Sequence, residues 1–112
     1  MNNNDFLLDI GKRIIERRKQ MGLSQEEFAE LAGVTPQMLS TAERGIKALR
    51  PENLLKISKT LGVSVDYLLT GEVIDKDVDD VYKKLSSVSP KQFRTIERII
   101  DNCIYLCDDQ GI

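Results

Sequence analysis

One stretch of the sequence, Ser24–Arg44, constrains the fold most strongly, because it specifies two short helices joined by a tight turn: SQEEFAELAGVTPQMLSTAER. Gly33 can adopt a left-handed conformation without a side-chain clash, so we expect it to end the first helix and turn the chain. Ala29 is small enough to let two helix backbones approach each other closely. Leu39 and Ala42 give the second helix an apolar stripe that faces the first. This spacing predicts a compact pair of helices with a defined crossing.

The starts of both helices are also marked in the sequence. Ser24 and Glu27 form a capping-box pattern, in which side chain and backbone satisfy each other's free hydrogen-bonding groups. Thr35 is a suitable N-cap for the second helix. Pro36 follows in the first helical position, where the N–H that proline lacks would have had no partner.

With these motifs, the sequence resembles the phage-repressor and Cro-like (Xre) family of helix-turn-helix transcriptional regulators. The resemblance covers roughly Ile10 to Gly71, including IGKRIIERRKQMGLSQEEFAELAGV before the turn and LLKISKTLGVSVDYLLTG after it. It implies a five-helix bundle whose third helix, the recognition helix, enters the major groove of DNA.

Apolar spacing and further caps predict the rest of the chain. A first helix is expected over about Phe6–Met21, a fourth from Pro51 and a fifth from Ser64. No alternating strand pattern is present. These patterns predict an all-α fold. With the resemblance, they predict a five-helix repressor-like DNA-binding bundle in residues 1–71 followed by two C-terminal helices in residues 72–112.

The recognition helix supplies the candidates for base contacts. If Leu39 and Ala42 face the core, a helical wheel turns the polar side chains to the opposite side. Gln37 can donate to and accept from adenine at once. Pro36 departs from the polar residue that many family members have there and offers only apolar contact. The predicted base-contacting residues are Pro36, Gln37, Ser40, Thr41 and Arg44.

Phosphate contacts are predicted beside this helix. The resemblance assigns Gln25 to a phosphate near the start of the second helix, where free N–H groups favour anions. Lys47 and Arg50 follow the recognition helix. The formal net charge is −2, yet residues 11–25 and 44–59 are rich in Lys and Arg and flank the helix pair. They are further candidates, although a solvated charged surface would give the same pattern.

The resemblance also implies that Arg18 pairs with Glu43 and clamps the first helix to the third. Without the resemblance, the two residues could equally be exposed charges that contribute little to stability. The clamp predicts that Arg18→Ala destabilises the fold.

The last predicted helix carries a wide apolar face that would be unfavourable in water. Its members are Phe93, Ile96, Ile99, Ile100, Cys103, Ile104 and Cys107. The face could pack on the same chain or on a second copy. Regulators of the resembling kind bind two half-sites, which favours a homodimer in which residues 72–108 form the dimerisation arm.

Other classes of function are poorly supported. The chain contains no histidine and two cysteines whose spacing matches no disulfide framework or zinc motif. It has no phosphate loop or nucleophile motif, so we expect no enzyme activity, cofactor or metal. Neither a membrane span nor a secretory signal is recognisable, which predicts a cytoplasmic protein.

Three functions remain open from the sequence. The first is a homodimeric repressor that binds double-stranded DNA. The second keeps the DNA-binding domain but uses the C-terminal helices to bind another protein, either an antagonist or, if the chain is an antitoxin, a toxin. The third is a protein-interaction module that does not bind DNA, which only Pro36 and the acidic net charge favour.

Overall fold

The computed structural model describes the backbone of residues 3–109 and the side chains of residues 5–107. The predicted domains are residues 1–71 and 72–112. The first residues of the former and the last residues of the latter lie outside the described part. The helices are α1 (Asn3–Gln20), α2 (Gln25–Ala32), α3 (Pro36–Glu43), α4 (Pro51–Leu61), α5 (Val65–Thr70), α6 (Asp75–Ser86) and α7 (Pro90–Asp109). No strand occurs in the described residues, and the all-α prediction is confirmed.

The predicted caps of α2 are present. Glu27 N–H donates to Ser24 Oγ at 3.1 Å, and Ser24 N–H donates to Glu27 Oε1 at 3.0 Å, which completes the capping box. Gly33 ends α2 with φ 75°, a left-handed conformation that glycine adopts without strain. The turn between α2 and α3 is therefore set by local sequence.

The later helix starts follow the same logic. Thr35 Oγ1 accepts from Met38 N–H at 3.1 Å, with Pro36 next to it as the first residue of α3. Ser64 caps α5 through Tyr67 N–H at 3.0 Å. At the start of α7, Gln92 N–H donates to Ser89 Oγ at 3.2 Å. Each of these side chains satisfies a backbone N–H that has no acceptor within its helix.

The core lies among α1 to α5. Its fully buried members include Ile14 of α1, Phe28 of α2, Leu39 of α3 and Ile57 of α4. Helix α1 passes very close to the end of α3 at Gly11, where a Cβ atom would collide with the backbone carbonyl of Glu43 and come within 2.7 Å of the Ala42 oxygen. Glycine at this position lets α1 support the recognition helix directly.

The contacts divide the chain into two compact units, the first ending at Val78 and the second beginning at Asp79. Helix α6 begins in the first unit and continues into the second. None of the described residues of the second unit is buried. Within residues 3–109, no helix combines the length and apolar character needed to cross a membrane.

Candidate nucleic-acid interface

A buried ion pair fixes the end of the recognition helix α3. Arg18 Nε lies 2.7 Å from Glu43 Oε2, and Arg18 Nη2 donates to Glu43 Oε1 at 3.0 Å. The two side chains are only 9% and 2% exposed. Arg18 Nη1 also donates to the Leu23 carbonyl at 2.8 Å. The pair therefore has the bidentate, hydrogen-bonded geometry of a clamp between α1 and α3, and the alternative of two exposed charges does not apply.

Gln25 of α2 also binds the carboxylate of this ion pair. Its Nε2 donates to Glu43 Oε1 at 2.8 Å, so the first residue of α2 is tied to the last residue of α3. The sequence pattern gave no sign of this contact, because it depends on the crossing of two helices. One amide hydrogen is committed to Glu43, and the other remains for the predicted phosphate contact.

Four of the predicted base-contacting residues share one face of α3, and the fifth, Arg44, directly follows its last residue. Gln37 and Arg44 are exposed, and Ser40 and Thr41 are half-buried, whereas Leu39 and Ala42 between them are buried. Pro36 is exposed at the start of the helix. The buried residues hold the helix in the bundle and leave the polar face to the solvent.

Two of these side chains are positioned by hydrogen bonds within the helix. Thr41 Oγ1 donates to the Gln37 carbonyl at 2.8 Å, so the threonine presents its methyl group and an acceptor. Arg44 Nε donates to the Ser40 carbonyl at 3.3 Å, which leaves its two terminal nitrogens for a ligand. Both side chains are thus partly ordered before any partner binds.

An open groove runs between α3, the loop after it and the start of α4. Three predicted base contacts and two predicted phosphate contacts line it, namely Gln37, Thr41, Arg44, Lys47 and Arg50. The groove brings an amide and three cationic side chains to one surface. This combination suits a polyanion whose base edges are exposed beside its phosphates.

The basic stretch of α1 has a structural role that was not predicted from the sequence. Arg13 Nη1 donates to the Leu68 carbonyl at 2.9 Å, and Arg17 Nε donates to the Leu61 carbonyl at 2.9 Å. Together with Arg18, these residues hold the bundle together. These three arginines satisfy carbonyls of the bundle, two of them in the last turns of α4 and α5. Phosphate contact by residues 11–25 stays a prediction.

The apolar face of α7 is not buried by the described residues. Phe93, Ile99, Ile100, Cys103 and Ile104 are exposed, and Ile96 and Cys107 are half-buried. With 3.6 residues per turn, these seven side chains fall within an arc of about 140°. Leu106, 54% exposed, extends the same face and was missed in the sequence analysis. Tyr105 lies on the opposite side of the helix.

The chain is similar to known helix-turn-helix proteins. The family model HTH_3, described as helix-turn-helix, matches residues 14–68. The HTH-type transcriptional regulator SinR of Bacillus subtilis (strain 168) is 40% identical over 95 residues, which cover 76% of this chain and 86% of that protein. Repressor protein C2 of Salmonella phage P22 is 38% identical over 69 residues, covering 62% of this chain and 32% of that protein.

Two solved structures are similar in fold as well as in sequence. The P22 c2 repressor in complex with a synthetic operator is 40% identical with a TM-score of 0.55, over 56% of this chain and 96% of that chain. A SinR–SinI protein complex contains a chain that is 37% identical with a TM-score of 0.55, over 82% of this chain and 94% of that chain.

Proposed function

Because the chain belongs to the helix-turn-helix family HTH_3, which its likeness to SinR and the P22 repressor establishes, we propose that it is a sequence-specific DNA-binding regulator of transcription. The observation that carries this proposal is the placement of α3. The exposed face of α3 shares a groove with Lys47 and Arg50, while the buried Arg18–Glu43 pair holds the end of the same helix. Rigid support beneath an exposed polar helix is what groove recognition requires.

In the proposed complex, α3 lies in the major groove. Gln37 pairs with an adenine through its amide, and Pro36 contacts a thymine methyl group. Lys47 and Arg50 bind phosphates on one side of the helix, and Gln25 binds a phosphate near the start of α2. With few polar side chains available for base contacts, specificity depends partly on the shape of the DNA.

The proposed active species is a homodimer that represses by occupying two half-sites. The exposed apolar face of α7 supports this, since burying it against a second copy removes a large apolar surface from water. A symmetric pair of recognition helices would bind half-sites about 34 Å apart, one turn of DNA. We assign the chain no catalytic role, since its relatives are named as regulators.

A second candidate is a regulator controlled by a protein antagonist that binds the α7 face. The likeness to the chain in the SinR–SinI complex favours it, because that likeness extends over 82% of this chain, well beyond the DNA-binding bundle. A chain that purifies alone as a stable dimer supports the homodimeric repressor. A chain that is monomeric when purified alone, and that becomes ordered only when a partner protein binds it, supports antagonist control.

Selection of bound sequences from a random DNA pool tests the proposal. We expect enrichment of an inverted repeat whose half-sites are about 10 base pairs apart, with affinity that falls steeply as salt increases. Absence of salt-dependent DNA binding would contradict the proposal and favour a protein-interaction module. Enrichment of single half-sites would support DNA binding and contradict the dimer.

A further inference from the structure

The carboxylate of Asp77 accepts three hydrogen bonds at the connection between α5 and α6. Asp77 Oδ1 accepts from Ser64 N–H at 2.7 Å. Asp77 Oδ2 accepts from the Ser64 hydroxyl at 2.8 Å and from Ile74 N–H at 3.0 Å. Ser64 is only 4% exposed. Residues far apart in the chain thus meet in a compact cluster at the start of two helices.

Both helix starts depend on this cluster. Ser64 caps α5 by accepting from Tyr67 N–H at 3.0 Å, while its own backbone N–H is satisfied by Asp77. Asp77 is also the third residue of α6, and its bond to Ile74 N–H is the return half of a capping box. Loss of the carboxylate would leave a buried N–H of Ser64 without its acceptor and would weaken the start of α6.

The segment that joins the two helices is short but has little structure of its own. Only residues 71–74 separate α5 from α6, and Val73 within them is 65% exposed. A segment of this kind would act as a hinge if nothing else held its ends. The Ser64–Asp77 bonds span thirteen residues and bypass it. The start of α6 is therefore attached to the bundle by side-chain contacts in addition to the chain itself.

We propose that Asp77 is a positioning residue that holds the start of α6 on the DNA-binding bundle and thereby determines which half-site spacing the dimer accepts. The inference rests on the dimeric DNA binding proposed above. Holding the start of α6 removes one source of variation in the separation of the two recognition helices, so the second half-site binds at a higher effective concentration when the spacing matches. A free junction would accept several spacings, each less tightly.

The test uses the full chain and four DNA fragments. These are the selected operator, the same operator with its centre lengthened or shortened by two base pairs, and one half-site alone. The wild-type protein should bind the altered spacings about 100-fold more weakly than the original. Asp77→Asn should bind all three spacings within about fivefold of one another, and the original about tenfold more weakly than wild type. Asp79→Asn, which removes the same charge from an exposed neighbour, should behave like wild type.

The half-site fragment separates positioning from general damage to the fold. If Asp77→Asn and wild type bind the half-site with equal affinity, positioning is supported. If Asp77→Asn loses affinity equally on every fragment, the proposal is overturned. It is also overturned if Asp77→Asn discriminates between the spacings as strongly as wild type does. A wild-type chain that binds only single half-sites would refute the dimeric function itself, which is a different result.

A second measurement needs no substitution and applies even if Asp77→Asn does not fold. In the unaltered chain, ¹⁵N relaxation of the amides of residues 75–78, at the start of α6, should give the same rotational correlation time as the amides in α1 to α5. Independent, faster reorientation of residues 75–78 would overturn the proposal.

Discussion

At the scale of single residues, the charge on Glu43 illustrates why one contact can control the recognition helix. Its carboxylate is almost completely buried and accepts from both Arg18 and Gln25. A buried charge is tolerated only when its partners compensate for lost hydration. The end of α3 is therefore stable only while α1 and α2 are in their native positions.

Replacing Arg18 by alanine should destabilise the protein by about 3–5 kcal/mol, since Glu43 would stay buried with Gln25 as its remaining side-chain donor. Urea unfolding of the two proteins measures the difference. The control is Arg94→Ala, because Arg94 pairs with Glu97 at 2.9 Å while both side chains are largely exposed. That change should alter stability by no more than about 1 kcal/mol. Similar losses in both variants would contradict the clamp.

Asp77 gives a prediction about pH. Burial alone would raise the pKa of Asp77, but hydrogen bonds from Ile74 N–H and from the Ser64 hydroxyl and N–H, with the charge of Lys76, lower it. Because the folded-state pKa lies below the unfolded value, the stabilisation is complete above the unfolded pKa, about 3.9 for aspartate. It is lost as the pH falls through the folded-state pKa.

The stability difference between wild type and Asp77→Asn should therefore be constant from neutral pH to about pH 5 and should shrink below about pH 4. Urea unfolding at a series of pH values measures it. Asp79→Asn, at an exposed position, serves as the control and should track the wild-type curve. A difference between wild type and Asp77→Asn that grows on acidification would show that the carboxylate is not held by these bonds.

At the scale of elements, α3 combines two kinds of contact that mutations can separate. Gln37→Ala should reduce the preference for the cognate base by about 1–3 kcal/mol and leave binding to unrelated sequences nearly unchanged. Lys47→Ala should weaken binding to all sequences and reduce the slope of log affinity against log salt by about one. Fluorescence anisotropy with cognate and scrambled DNA at several salt concentrations measures both. The opposite pattern would mean that another face of α3 contacts the bases.

The helix caps could be predicted from the sequence, whereas the contacts between helices could not. Ser24, Thr35 and Ser64 were recognised as caps because each bonds to a backbone group three residues away, and local spacing reveals that. The bonds of Arg13 to Leu68 and of Arg17 to Leu61 join residues 55 and 44 positions apart. Local periodicity contains no information on such pairs, since they depend on how the helices cross.

The same reason explains why the contact between Asp77 and Ser64 was not predicted. Asp77 lies near the start of α6, and local spacing accounts only for its bond to Ile74 N–H, three residues earlier. Its contact with Ser64 joins two helices whose packing had to be known first. The face of α3 was predictable, because burial of Leu39 and Ala42 follows from spacing within one helix.

At the scale of the whole molecule, the core and the proposed dimer face lie in different parts of the sequence. All buried core residues fall between Ile10 and Leu68, whereas the exposed apolar face belongs to α7. Dimerisation and folding should therefore be separable. A chain that ends at Ser86 keeps the Ser64–Asp77 bonds and loses α7, and a chain that ends at Gly71 loses both.

Both shortened chains should be monomeric in light scattering and should bind the two-half-site operator about 10²–10⁴-fold more weakly than the full chain, since linked binding is lost. The chain that ends at Ser86 should have the higher Tm, because the Ser64 N–H keeps its acceptor. A dimer that persists without α7 would place the interface on the bundle.

A substitution in the full chain tests the same face without removing a helix. Ile100→Asp places a charge in the middle of the apolar face, where Ile100 is 45% exposed. Burying that charge against a second copy is unfavourable, so the variant should dissociate to monomers while keeping its helical content. Tyr105→Asp makes a similar change on the opposite side of α7, where the side chain is 65% exposed. Sedimentation should show a dimer for Tyr105→Asp, and equal dissociation of the two variants would mean that the self-association surface is not confined to the apolar face.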